Sequence, residues 1–381
     1  MATLSACIVV KNAKASILKC LDALLPMANE YVIVDTGSTD GTIELVKQWR
    51  TKHGNPGFVH EEVGGKFHDE DGIFDFGAAK NYAISLAHCD YVMWVDANDI
   101  LKDGKDARRE FEAIVAKNPD AAIAMDTKVS KTFQFPRLRI LKREKAHFTG
   151  MIHEMMVDKT DRNGANDIRT KIVFENYKAT RDTRRNLLAL EKSWKMNRTQ
   201  RDAFYLGNSY KDLKDLGKAA EWYSVVVDEF PQVLNENRFK SLETICEIYL
   251  MGVPDLEELG ARAMQMIEEF PDRPEGYFYR ARYNFISKNY DLAKKCLLQV
   301  NKLNGNDRTT LWHSRKIYDR RYIDSLINNV DVAIERQDIY NLRNAEPMPL
   351  EHVDDGGFMG MANCGTGRLG PAYDRFGTFA I

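Results

Sequence analysis

The apolar run YVMWVDAND ends on three oxygen-bearing side chains, Asp96, Asn98 and Asp99. Oxygen ligands clustered at the carboxyl end of a strand suit Mg2+ or Mn2+, which neutralise a diphosphate and let it depart as a leaving group. Asp and Asn also end strands as turn formers, so the cluster needs company. One companion is Asp35 in EYVIVDTGSTDGT. A carboxylate there falls in the crevice where open α/β sheets bind ligands, and it can accept from a ribose hydroxyl or a base N–H. Taken alone, Asp35 would only cap the turn that follows. A second companion is GMIHEMM, where His153 offers an imidazole to a metal and Glu154 a carboxylate to take a proton. Isolated, each would be an ordinary surface or core residue.

The elements that must position these side chains alternate between β-rich runs and helical patterns, as in an α/β sheet with crossover helices. Strands are expected at Ser5–Val10, Tyr31–Asp35, Phe58–Glu61, Tyr91–Asp96, AAIAMDTK, Phe133–Leu141 and Lys171–Phe174. Between them, Ile17, Leu18, Leu21, Leu24 and Leu25 give one helix an apolar face, and TIELVKQWR, Gly77–His88 and Asp106–Lys117 supply three more. No G-x-G-x-x-G follows either of the first two strands, so dinucleotide binding has no support. From about Arg181 the pattern turns helical. Ala203–Pro231 and Gly276–Val300 each place aromatic and small residues in a first helix, then a turn, then a small-residue helix. Lys240–Pro271 repeats the EFP ending between them. This is the arrangement of tetratricopeptide units, whose hairpins bury their faces only against neighbours.

With 381 residues, 44% of them hydrophobic, the chain has enough material for two domains. No basic leader with an apolar core and no membrane-length apolar run is present, so the chain is expected to be cytoplasmic, without membrane insertion. Six scattered cysteines lack C-x-x-C spacing and suit reduced core thiols. The net charge of −2 is unevenly spread, because residues 131–201 carry 18 basic against 8 acidic side chains. That block, with Phe133, Phe135, His147 and Phe148 interleaved, would suit a polyanion, against the plainer reading of a solvated surface.

The order LSACIVVKN, EYVIVDTGSTDGT, FDFGAAKNYA, YVMWVDAND and GMIHE resembles family 2 glycosyltransferases of the GT-A fold. In particular it is similar to the branch with tetratricopeptide repeats behind the catalytic domain, which includes peptide S-glycosyltransferases and lipopolysaccharide-core glucosyltransferases. The resemblance covers about the first 180 positions. It implies an α/β GT-A domain over 1–180, an all-α tetratricopeptide-like domain over 181–345 and a Gly-rich tail over 346–381. It also implies that Val10, Asn12, Asp35 and Thr36 cradle the nucleoside of a UDP-sugar and that Asp75, Lys80 and Asn81 line the same pocket. Asp96 and Asn98 would be the two arms of the D-x-D metal motif for Mn2+ or Mg2+, Asp96 thereby also meeting the donor, with His153 a further metal or diphosphate contact. The second arm is Asn98 where the family usually has Asp. An amide is the weaker ligand, so either the metal is held less tightly or Asp99 substitutes.

The activity implied is that of an inverting hexosyl- or pentosyltransferase. Glu154 is the first choice of base and Asp99 the competing carboxylate. Protein or peptide leads the expected acceptors, followed by nucleic acid such as a hydroxylated DNA base, then saccharide. The repeats would also allow homo-oligomers. The rival reading is a catalytically idle scaffold with a vestigial GT-A domain, which Asn98 favours and the combination of Asp35, Lys80, Asn81, Asp96 and His153 disfavours.

Overall fold

The computed structural model describes residues 2–54, 57–129, 134–160, 167–176, 183–231, 236–251, 255–303 and 319–344. Met1–Asp331 form one compact unit and Val332–Ile381 another. The expected Gly-rich tail, Cys364 and Phe133 lie outside the described residues.

The first part is an eight-stranded mixed sheet. Its order is β3 (Phe58–Glu62), β2 (Glu30–Asp35), β1 (Leu4–Val10), β4 (Tyr91–Trp94), β7 (Gln134–Lys142), β6 (Ala122–Lys128), β10 (Asp167–Asn176) and β5 (Asp99–Leu101). β3, β2, β1 and β4 run parallel, β7 is antiparallel to both β4 and β6, and β10 returns parallel to β6. A second, two-stranded sheet pairs β8 (Ala146–Thr149) with β9 (Met155–Asp158).

Strands buried on both faces read as continuous apolar runs, and period two splits their side chains between two cores. In β1, Leu4, Ala6, Ile8 and Val10 join one core with Ile17 and Leu21 of α1 (Ile17–Leu24) and Val46 and Trp49 of α2 (Thr42–His53). The alternate residue Cys7 joins Val32 and Val34 in the opposite core, against Ala83 and Ile84 of α3 (Phe76–Ser85). Phe111 and Val115 of α4 (Gly104–Lys117) extend the first core under the later strands.

The second part is helical. α5 (Thr183–Asn197) leads into three hairpins: α6 (Gln200–Asp212) with α7 (Leu216–Asp228), α8 (Glu236–Met251) with α9 (Leu256–Glu269), and α10 (Pro274–Ile286) with α11 (Tyr290–Leu303). α12 (Arg320–Asn344) follows. Side-chain caps start several of these helices: Thr199 accepts from the Asp202 amide, Asp215 from Lys218 and Asp255 from Glu258. Close packing rests on missing Cβ atoms at two places. A Cβ on Gly207 would stand 2.8 Å from the Tyr223 ring, and one on Gly260 2.7 Å from the Tyr283 ring. These are the tetratricopeptide-like repeats expected from the sequence, and the mixed α/β sheet before them is the expected first part.

Four corrections of boundary matter for the site. β4 stops at Trp94, which leaves Asp96 in the turn beyond it, and the edge strand β5 begins at Asp99. β8 and β9 flank the GMIHE segment, where no strands were expected. Short strands such as these carry too few residues for a period to register.

Candidate functional site

Asp96 lies just past β4, partly exposed, and gathers cations from two other elements. Lys80 Nζ of α3 stands 3.5 Å from Asp96 Oδ1, and Arg137 Nη1 of β7 is 3.1 Å from Asp96 Oδ2. The indole N–H of Trp94 donates to Asp96 Oδ1 at 3.1 Å. Burial pushes the Asp96 carboxyl up, but Lys80, Arg137 and Arg139 together outweigh it and hold the carboxyl far below its ordinary value. Asp96 is therefore an anion at any physiological pH. Arg137 is held as a firm cation in return by Asp96, Asp99 and Glu154, against the opposing effect of its burial.

Lys80 is a buried ammonium, 5% exposed, and its charge is compensated from several sides. Besides Asp96 it forms an ion pair with Glu154. Its Nζ also sits 3.8 Å above the Trp94 ring centroid and 5.1 Å from that of Phe148. One cation thus links the end of β4 to the GMIHE segment.

Asp99 is held by partners within the protein. Its side chain is fully buried, Oδ2 accepts from Arg139 Nη1 at 2.7 Å and from the Asp96 amide at 3.1 Å, and Oδ1 accepts from Asn176 at 2.6 Å. Each oxygen already has a partner inside the protein and the side chain is fully buried, which favours a structural part for Asp99 over the metal-ligand or base role expected of it. It fixes the turn that presents Asp96. Asn98 lies in that turn, partly exposed.

Asp35, at the end of β2, is buried, and its Oδ1 accepts from the amides of Gly37 and Ser38, both at 2.8 Å. Its Oδ2 is buried without a hydrogen-bond partner. A buried carboxylate oxygen with no partner inside the protein calls for one from outside it, whether a water, an ion or a ligand donor. The remaining expected pocket residues serve to build the crevice. The Val10 carbonyl accepts from the Thr36 amide at 3.0 Å and hydroxyl at 3.2 Å. Asn12, at φ 51°, takes the Ser38 hydroxyl on its amide N–H and the Thr39 N–H on Oδ1. Asp75 caps α3 through the Ala78 amide. Asn81 is a correction: its side chain exchanges two bonds with the Phe148 backbone, at 2.8 and 2.9 Å, so it ties α3 to β8 rather than facing a ligand.

Sequence reasoning missed Arg137, Arg139 and Trp94. A signal existed, because RLRIL sets two arginines at period two in an apolar strand, which puts both on one face. The wider basic block is partly paired at the surface, in keeping with the plainer reading of it. Lys142 and Lys145 pair with Asp120, Arg169 with Asp126, Lys192 with Asp69 and Arg198 with Glu229. Much of its excess charge is thus neutralised by partners contributed from elsewhere in the chain.

Among the described residues no three His, Cys, Asp or Glu side chains gather into a metal cage. A divalent ion that is shared with a bound diphosphate needs only one or two protein carboxylates, and Asp96 fits that description.

The mixed α/β sheet thus brings a carboxylate and two cations together at its carboxyl edge. Residues 5–177 match the family model Glycosyl transferase family 2. A poly(ribitol-phosphate) beta-glucosyltransferase of Bacillus spizizenii is 30% identical over 105 residues, covering 26% of this chain and 15% of that protein. A TPR repeat-containing protein of Synechococcus elongatus is 30% identical over 101 residues, covering 26% of this chain and 22% of its own length. The chain thus spans less than a quarter of either relative. A solved structure of S. aureus TarS 1–349 in complex with UDP is 14% identical, with a TM-score of 0.36 over 81% of this chain and 93% of that one. No described helix is long and apolar enough to cross a membrane.

Proposed function

We propose that the chain transfers a sugar from a UDP-sugar to a protein or peptide acceptor, with inversion at the anomeric carbon. The observation that carries this reading is the convergence of Lys80, Asp96 and Arg137 at the sheet edge, in the same domain as a buried Asp35 with one oxygen left for a ligand donor.

In this reading Asp35 accepts from the nucleoside, and the backbone bonds that fix Val10, Asn12 and Thr36 shape the crevice around it. Asp96, together with Asn98 and His153 as the resemblance implies, would hold Mn2+ or Mg2+, whose chemistry when bound is to neutralise the departing diphosphate. Lys80 and Arg137 add two fixed cations, preorganised by their carboxylate partners, where that charge develops. The acceptor nucleophile attacks the anomeric carbon in line, the bond to the diphosphate oxygen breaks, and Glu154 takes the acceptor proton. Because Lys80 touches both Glu154 and Asp96, one ammonium adjusts to the charge on either side of the reaction.

Part of the charge of the basic block is paired within the chain, which weakens the case for a nucleic acid and supports a peptide as the acceptor for a repeat surface. The domain boundaries follow the same reading, with catalysis assigned to 1–180 and acceptor presentation to 181–345. The idle-scaffold alternative is disfavoured by Asp96, whose ionised state is maintained by three cations.

The test is hydrolysis of a panel of UDP-sugars with Mn2+, in the wild type and in Asp96→Ala. Turnover of at least one donor, lost in the variant while the melting temperature holds, is the expected result. A wild type that turns over no donor, or an Asp96→Ala protein as active as the parent, would sink the reading.

A further inference from the structure

The loop between β8 and β9 carries Glu154, and it is bent twice into the left-handed region, at Gly150 (φ 88°) and His153 (φ 50°). Glycine adopts that region freely, but a histidine there costs free energy and persists only where its surroundings over-determine it. The two four-residue strands on either side are too short to supply that constraint.

The constraint comes from two sides. On one, α3 closes in: the Phe76 amide donates to the Met151 carbonyl at 2.8 Å, and a Cβ on Gly77 would stand 2.2 Å from the Gly150 oxygen, so only glycine fits. On the other side stands α6, the first helix of the repeats. Arg201 Nε donates to the His153 carbonyl at 2.9 Å. The His153 imidazole lies flat on the Tyr205 ring, with centroids 3.8 Å apart and planes 4° from parallel. Arg201 also reaches over the Tyr205 ring at 4.9 Å, which locks the pair together. Ile152 fills the space below, in a cluster with Ala189 and Leu190 of α5 and Leu206 of α6.

We propose that the first repeat helix is part of the catalytic machinery, with Tyr205 and Arg201 as positioning residues that act through His153 to hold Glu154 against Lys80. The consequence for the catalytic step rests on the roles given to Glu154 and Lys80 above; the clamp on the loop does not. The repeats therefore do more than present an acceptor: their first hairpin sets the geometry of the loop that carries the base.

Hydrogen exchange and steady-state kinetics on the full chain, compared among wild type, Tyr205→Phe, Tyr205→Leu and Arg201→Ala, test this. Tyr205→Phe keeps the stack and gives up only the long 3.4 Å bond from Arg201 to the Tyr205 hydroxyl, so it should lie closer to wild type than to Tyr205→Leu in both measurements. Tyr205→Leu and Arg201→Ala should raise amide exchange in residues 149–155 at unchanged melting temperature. Both should also lower kcat for donor hydrolysis about tenfold, with the donor KM nearly constant, because a small misplacement of a reacting group is felt in the chemical step. Unchanged exchange in that segment overturns the clamp whatever the enzyme does, as does a Tyr205→Phe protein that loosens as much as Tyr205→Leu. Faster exchange in a protein whose wild type hydrolyses no UDP-sugar would uphold the clamp while the donor reading fails. Faster exchange with undiminished kcat would overturn the catalytic part.

Discussion

Charged side chains are used in opposite ways at the two ends of this molecule. At the carboxyl edge of the sheet, Lys80, Asp96, Arg137, Arg139 and Glu154 come from segments far apart in sequence and converge on one partly open place. In the helical hairpins the arginines act as bolts between neighbours. Arg238 of α8 grips Glu269 of α9 with two bonds of 2.6 Å and Arg262 of α9 grips Asp228 of α7 at 2.6 and 2.8 Å, while Arg273, the N-cap of α10, pairs fully buried with Glu275 in the first turn of that helix. The first pattern concentrates charge at the proposed donor site, and the second spends it on stacking repeats. Charge counts along the sequence do not distinguish the two.

The contrast breaks most visibly in activity. Lys80→Met should lower donor turnover by about a hundredfold or more, since a preorganised cation at a leaving group is worth that much. Arg238→Met in the repeats should leave the per-molecule turnover of folded protein unaltered. Equal losses in both, measured as kcat with the folded fraction checked by circular dichroism, would erase the distinction.

Stability comes next. Arg139→Met strands the Asp99 carboxylate without its buried partner and should cost about 3–5 kcal/mol in urea unfolding. The double variant Arg139→Met with Asp99→Asn should recover part of that loss. Gly207→Val in α6 pushes a side chain against the Tyr223 ring and should cost roughly 1–3 kcal/mol, with donor affinity retained. A neutral Gly207→Val would mean that the hairpins are packed more loosely than the Cβ distances indicate.

A smaller effect belongs to pH. Burial raises the Glu30 carboxyl, but bonds from the His88 amide and ring and from Ser5 outweigh it, and the folded value falls below the unfolded one. A carboxyl depressed on folding stabilises the protein above its unfolded pKa, and that stability is lost as pH falls through the folded value. Glu30→Gln should flatten the loss of stability below about pH 4.5, the unfolded region for Glu. Least of all, Lys47→Ala removes an ion pair whose side chains are 60% and 49% exposed, and the melting temperature should not move.

Most of the scaffold could be seen in the sequence because its strands are buried on both faces and its helices are amphipathic. All three hairpins overlap the helical repeats anticipated at 203–231, 240–271 and 276–300, each beginning two to four residues earlier. Short strands escaped, since β5, β8 and β9 offer three or four residues each. The candidate site was legible in part: Asp35, Asp96 and Glu154 were singled out by type and place, and Lys80 by the resemblance. The buried pairing of Asp99 with Arg139, and the grip of Tyr205 on His153, join residues 40 and 52 positions apart through folding alone, and no local pattern records such a meeting.

The central claim, that the sheet edge is a nucleotide-sugar site, meets its most direct test in calorimetric titration of UDP into the wild type and Asp35→Ala. The account predicts saturable binding by the wild type and at least about a tenfold weaker Kd in the variant, the worth of one hydrogen bond to a buried charged acceptor. Absence of binding by the wild type, or equal affinity in the two proteins, would contradict it.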